Sequence, residues 1–217
     1  MQCFGVAPQS RNELSYFRFQ GCQYRGCEME IEPDASAASY FWALAAIHGG
    51  AATVEGLNAN SLQGDTKFVR CLEQMGCCVE FEKDHITVRG PATRGIDIDM
   101  EDISDTAQTL AVVALFVEGP TRIRGIAHNR VKETDRIGNV AKELRKLGAN
   151  VEEHEDGMTI VPGAFRSALI ETYNDHRMAM SFAVAGTKNS GVVIRDPGCV
   201  SKTFPAFFEV LNRCLEK

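Results

Sequence analysis

Four basic side chains and a histidine stand where a helix ordinarily excludes positive charge. The segment RVKETDRIGNVAKELRKLG reads as a helix whose start is flanked by Lys132 and Arg136, NDHRMAM opens a helix with His176 and Arg177, and Lys202 stands just before the apolar-periodic PAFFEVLNRCL. A helix macrodipole puts partial positive charge at its N-terminus, which favours Asp and Glu there and disfavours Lys and Arg. Cations and helix N-termini become favourable together when an anion lies between them, because side chains and backbone N–H groups then aim at one charge. The implied ligand carries phosphate or carboxylate groups. The plain alternative for VKETDR is a solvated charge run in which Lys132, Glu133, Asp135 and Arg136 neutralise one another and Glu133 or Thr134 caps the helix. The recurrence of the pattern at three places favours the anion.

The carboxylates divide in the same way. Asp34, Asp105 and Asp175 each precede an apolar run and suit the N-cap position, which is the preferred reading for Asp34. Asp105 and Glu133 differ, because they open the two successive helices of the one segment that also carries Lys132 and Arg136. Two carboxylates among cations make an acid/base pair. Metal chemistry is not indicated: the eight cysteines form no Cys-x-x-Cys pair, and none stands at ligand spacing from a histidine. They read as free thiols of a reducing compartment.

The elements that must position these groups come from an internal repeat. Asp34, Asp105 and Asp175 open Ala-rich runs 71 and 70 residues apart, and the glycines that follow, Gly50, Gly119 and Gly191, are 69 and 72 apart. A second helix signature follows each: SLQGDTKFVRCLEQMG, then VKETDRIGNVAKELRKLG with Ile137, Val140, Leu144 and Leu147 on one face and Gly148 as its stop, then VSKTFPAFFEVLNRCLEK. The first two units close with alternating stretches, CCVEFEKDHITVRG and NVEEHEDGMTIVPG, that read as hairpins. Each unit is thus strand, helix, strand, helix, strand, strand. The first helix of each is apolar nearly all round and is expected to be buried, the second amphipathic and nearer the surface.

This predicts an α/β fold of repeated βαβαββ units with quasi-threefold symmetry over residues 28–217, the third unit lacking its closing hairpin. Residues 1–27 stand outside the repeat. In this leader SYFRFQ and CEMEIE alternate like strands about a Gly21-to-Gly26 turn. At 217 residues the chain can bury a sizeable core. Its 23 Lys and Arg against 29 Asp and Glu give a net charge of −6, the wrong sign for a general nucleic-acid binder. The longest apolar runs fall short of a bilayer span and the start carries no signal pattern, so a soluble cytoplasmic protein with neither a membrane nor a nucleic-acid partner is expected.

The motifs YNDHRMAM (173–180), RVKETDR (130–136), EPDASAASYFWALAA (32–46), SLQGD (61–65) and SKTFPAFFE (201–209), in this order over nearly the whole chain, closely resemble the 5-enolpyruvylshikimate-3-phosphate synthase family. The resemblance implies two domains of three βαβαββ units each, the inside-out α/β barrel domains of enolpyruvyl transferases, with the active site in the cleft between them. It identifies this chain as the C-terminal half, with residues 1–27 a strand pair left from the upper domain and 28–217 the lower domain. The start of a full-length chain would complete the third unit.

Family enzymes transfer the enolpyruvyl group of phosphoenolpyruvate to the 5-hydroxyl of shikimate 3-phosphate and release phosphate, on the route to chorismate, without metal or organic cofactor. Carried over by motif, Asp105 would hydrogen-bond the attacking hydroxyl and help remove its proton, Glu133 would protonate the methylene carbon of phosphoenolpyruvate, and Lys132 would sit beside the tetrahedral centre. Arg136, Arg177 and Lys202 hold the carboxylate and phosphate of phosphoenolpyruvate, with His176 lining that pocket. Where the family pattern has an Asn contacting the shikimate phosphate, this chain has His128, followed by Asn129. The upper domain, in cis or in trans, would supply the remaining shikimate 3-phosphate contacts, so the chain alone is expected to be inactive. A non-catalytic remnant that binds anions or a partner is the alternative from another class. The related UDP-N-acetylglucosamine enolpyruvyl transferase shares the fold but not NDHRMAM.

Overall fold

A computed structural model describes residues 1–11, 15–19, 21 and 23–216. Two compact units divide between Glu32 and Pro33. In the first, β1 (Gln9–Arg11) pairs antiparallel with β2 (Tyr16–Arg18), and the rings of Phe4 and Tyr24 meet edge to face at 6.0 Å. The expected strand at CEMEIE is absent. Residues 27–32 alternate in sequence but form no strand, and Ile31 is largely exposed; alternation makes a strand only where a neighbouring edge accepts its hydrogen bonds. Gln20 and Cys22, within the expected SYFRFQ strand and the turn, lie outside the described residues.

The second unit repeats one plan. Its first pass runs α1 (Ala35–His48), β3 (Ala51–Glu55), α2 (Phe68–Gln74), β4 (Cys78–Phe81) and β5 (His85–Arg89). The next runs β6 (Asp97–Asp99), α3 (Ala107–Val113), β7 (Thr121–Arg124), α4 (Gly138–Lys146), β8 (Asn150–His154) and β9 (Gly157–Val161). The last has β10 (Ala168–Ile170), α5 (His176–Gly186), β11 (Val192–Ile194) and α6 (Phe207–Leu215). The middle pass shows the whole βαβαββ plan as a sheet ordered β6-β7-β9-β8, in which β6 and β7 are parallel and the other pairs antiparallel. The first sheet, β3-β5-β4, is the same order without the leading strand, and the third is the parallel pair β10-β11.

The inner helices α1, α3 and α5 pack on one another and are buried over most of their surface, as their nearly continuous apolar runs require. At their shared contact three hydroxyls from equivalent places in the repeat meet: Thr109 Oγ1 lies 3.2 Å from Ser39 Oγ and 3.3 Å from Ser181 Oγ. The outer helix α4 buries Val140, Ala141 and Leu144, and two residues past its end stands Gly148, whose φ of 102° and close approach to the Ala164 carbonyl leave no room for a side chain.

The helix starts depart from expectation. α4 begins at Gly138, so Lys132, Glu133 and Arg136 lie in the loop before it. Just ahead of it Asp135 folds back in an Asx turn, its Oδ1 accepting from the N–H groups of Ile137 (3.0 Å) and Gly138 (2.9 Å). The charges of VKETDR suit a helix by propensity, but an Asx turn offers those N–H groups a closer partner. Likewise Asp105 does not cap α3; it sits within a 3₁₀ segment, Glu101–Thr106, that leads into it. Lys202 ends another, Pro197–Lys202, ahead of α6.

Candidate active site

Two helices start as read. Asp34 Oδ1 accepts from Ala37 N and caps α1, and Asp175 accepts from Arg177 N at 2.8 Å and caps α5. Asp175 does more than cap. It is fully buried and receives two hydrogen bonds from Arg136, at 2.7 Å from Nε and 3.2 Å from Nη2. Arg136, only 2% exposed, turns its remaining donors to two further carboxylates, Asp105 (3.1 Å) and Glu133 (2.7 Å). A planar guanidinium with five donors suits three acceptors at once.

Asp105 is the second hub. Lys132 Nζ reaches its Oδ1 at 2.5 Å, and Arg177 Nη2 its Oδ2 at 3.0 Å, in addition to Arg136. Glu133 is bridged between Arg136 and Lys202, the latter at 2.6 Å. Side chains from the 3₁₀ segment before α3, the loop before α4, the start of α5 and the segment before α6 thus form one continuous network. The structure brings together Asp105, Lys132, Glu133, Arg136, Arg177 and Lys202.

The electrostatics follow from this arrangement. Burial pushes the Asp105 carboxyl up, but the hydrogen bond from Lys132 and the charges of Arg177, Lys132 and Arg136 outweigh it and leave it below the usual carboxylate value. The Lys202 hydrogen bond leads Glu133 down to about 2, assisted by Arg136 and opposed by burial. His176, buried and beside Arg177, is shifted down, since burial and that charge outweigh Asp175 and Glu133. Its Nδ1 is buried without a hydrogen-bond partner among the described residues.

His128 and Asn129 divide their duties. His128 is exposed and its Nε2 lies 2.8 Å from Ser104 Oγ. Asn129 is buried; its Nδ2 donates to the Ser104 carbonyl and its own carbonyl accepts from Arg136 N, so it braces the loop from behind. Arg130 ties the same loop to the β8–β9 hairpin through Asp135, Glu153 and the carbonyls of His154 and Glu155.

Sequence reasoning missed three neighbours of the site. Ser104 serves both His128 and Lys132, the latter at 3.5 Å. Tyr40, wholly buried near Arg177, has its phenol pushed up to about 12 by burial. Asp175 was legible as a cap but not as the anchor of Arg136, 39 residues away; an arginine and an acid both expected at buried positions would have been the signal. Among the described residues no group of His, Cys, Asp and Glu could hold a metal ion, and no helix is long and apolar enough to cross a membrane.

Comparisons with known proteins cover nearly the whole chain. A family profile described as EPSP synthase (3-phosphoshikimate 1-carboxyvinyltransferase) matches residues 1–211. A curated 3-phosphoshikimate 1-carboxyvinyltransferase of Nostoc punctiforme is 52% identical over 100% of this chain and 51% of its own length. A chloroplastic protein of that name from Arabidopsis thaliana is 47% identical over 98% of this chain and 43% of its own. The solved EPSP synthase of Acinetobacter baumannii superposes with a TM-score of 0.85 at 30% identity, covering 98% of this chain and 52% of that one. The enolpyruvyl transferase NikO of Streptomyces tendae, 17% identical with a TM-score of 0.68, shares the fold. The chain spans about half the length of the curated relatives it matches.

Proposed function

The chain belongs to the EPSP synthase, or 3-phosphoshikimate 1-carboxyvinyltransferase, family, and on that premise we propose that it supplies one wall of the site that transfers the enolpyruvyl group of phosphoenolpyruvate to the 5-hydroxyl of shikimate 3-phosphate. The observation that carries the reading is Arg136, buried and ion-paired with Asp175, Asp105 and Glu133 at once. It fixes both acid/base candidates beside three further cations.

In the transfer, the hydroxyl oxygen bonds to C2 of phosphoenolpyruvate while the methylene carbon gains a proton. The methyl so formed then loses a proton as the bond from C2 to the phosphate oxygen breaks. Asp105, kept ionised by Lys132 and Arg177, is the group to accept the hydroxyl proton. Glu133 is the group to move the proton at carbon. With its cations engaged it is held near 2 and is a poor acid. The phosphate and carboxylate of phosphoenolpyruvate would draw Lys202, Arg136 and Arg177 toward themselves, and the carboxyl, relieved of that stabilisation, would rise toward a value from which it can donate. Lys132 and the arginines then face the charge that develops on the departing phosphate. His176 lines the phosphoenolpyruvate pocket, and His128, exposed where Asn129 is buried behind the loop, faces the shikimate phosphate.

The other wall is proposed to come from an upper domain, in cis or in trans, and the reaction is proposed to be cytoplasmic. The 217-residue chain alone then lacks half the orienting groups, a loss that can be worth about 7–11 kcal/mol. A chimera tests the reading: this chain replaces the matched half of the Nostoc punctiforme relative. Turnover of both substrates is expected, with Arg177→Ala raising the KM for phosphoenolpyruvate. A folded chimera without turnover would overturn it.

A further inference from the structure

Glu143 takes no part in the site, yet it is the one carboxylate that α4 (Gly138–Lys146) carries into the core, where it is fully buried beside Val140 and Leu144. A buried carboxylate is costly unless its oxygens are satisfied. Those of Glu143 are, and its partners outside α4 lie on one stretch of chain. The Tyr173 hydroxyl donates at 2.6 Å and Glu171 N at 3.2 Å. The third donor, Lys146 Nζ at 2.5 Å, also bonds the Leu169 carbonyl.

That stretch runs from β10 into two consecutive left-handed residues, Tyr173 (φ 53°) and Asn174 (φ 57°), and then directly into Asp175, His176 and Arg177. Left-handed backbone is unfavourable for residues with a Cβ, and two in succession persist only where the surroundings hold them. The loop leading into α4 carries Arg136, which binds Asp175. One helix with its leading loop therefore grips both sides of the turn, by Glu143 before it and by Arg136 after it.

We propose that Glu143 is a positioning residue: its hold on Tyr173 and Glu171 fixes the Tyr173–Asn174 turn and so sets where Asp175 and Arg177 stand in the site. The inference rests on the reading of Arg177 as an anion-binding group for its functional meaning, but its structural half can be tested apart.

The test uses the whole chain with two readouts, hydrogen exchange at Arg136 Nε–H, which Asp175 protects, and titration with inorganic phosphate followed on the Arg177 side-chain NMR signal. Tyr173→Phe deletes one oxygen. It is expected to speed exchange at Arg136 about fivefold, the worth of one hydrogen bond, and to weaken phosphate by a similar factor, while the amides of β5 (His85–Arg89) keep their rates. Asn174→Gly added to Tyr173→Phe restores slow exchange in part, because glycine enters the left-handed region freely. Glu143→Gln behaves as Tyr173→Phe; should it fail to fold, Tyr173→Phe carries the test. Unchanged exchange at Arg136, or β5 amides that speed up equally, would overturn the proposal, as would phosphate binding that Tyr173→Phe leaves intact. If the parent chain binds no phosphate while Arg136 exchange still responds, the anion reading fails and the positioning role stands.

Discussion

Replacing Asp175 with Asn removes a charge from beneath the site and little else. Asn caps a helix as well as Asp does, so the start of α5 keeps its acceptor for Arg177 N, and the side chain keeps its size. What is lost is the fully buried counter-charge of Arg136, which the aspartate meets with two hydrogen bonds of 2.7 and 3.2 Å. Removing one partner of a buried pair costs about 3–5 kcal/mol, because the other charge is left uncompensated. Arg136 retains Asp105 and Glu133, which places the expected cost at the lower end, about 3 kcal/mol. With a urea m-value of ~2 kcal/mol/M, the unfolding midpoint falls by roughly 1.5 M. Urea unfolding followed by far-UV circular dichroism measures it, with Glu73→Gln as the control, since its exposed pair with Arg70 is worth under about 1 kcal/mol. A midpoint for Asp175→Asn indistinguishable from that control would refute the claim that the Arg136–Asp175 pair anchors the site.

Three further outcomes are expected. Gly148→Ala lowers the thermal midpoint sharply, by more than about 2 kcal/mol in stability, because the residue sits at φ 102° with the Ala164 carbonyl 2.1 Å from where the Cβ would stand; a melting curve unchanged from the parent would contradict that geometry. Thr109→Val removes the middle hydroxyl of the Ser39–Thr109–Ser181 contact and costs about 1–2 kcal/mol, read by urea unfolding, and a neutral or stabilising result would mean the three hydroxyls do not cooperate. Glu133, depressed in the folded chain to about 2 from an ordinary 4.5, contributes stability that is fully present above pH ~4.5 and is lost as pH falls toward 2. The stability difference between the parent and Glu133→Gln therefore shrinks over that interval, and a pH-independent difference would show that Glu133 is not held ionised by Lys202 and Arg136.

The repeat was legible because burial writes itself into composition: α1, α3 and α5 are Ala-rich and apolar nearly all round, and the capping aspartates Asp34 and Asp175 stand at the starts of two of them. The residues that gather around Asp105 and Glu133 were legible as cations in the wrong places, a local violation that an anion site explains. The helix boundary before α4 was not, since the charges of VKETDR fit a first helical turn as well as a loop, and only the two N–H groups taken by Asp135 separate the cases. The strand at residues 27–32 was misread because alternation reports the two faces of a segment and says nothing of a pairing partner. The anchoring of Arg136 by Asp175 and of Tyr173 by Glu143 joins residues 39 and 30 positions apart, and such pairs leave no periodic trace.

The most direct test of the central claim is solvent deuterium at carbon. In D₂O, the chimera with the Nostoc punctiforme half should place deuterium on the vinyl carbon of the product, since the proposed transfer passes through a methyl group that gains one proton from the enzyme and loses one of three. Glu133→Gln keeps the size and hydrogen bonding of the side chain but cannot give up a proton, so incorporation and turnover should fall together by about 10²–10⁴-fold. Deuterium incorporation at the parent rate in Glu133→Gln would contradict the account.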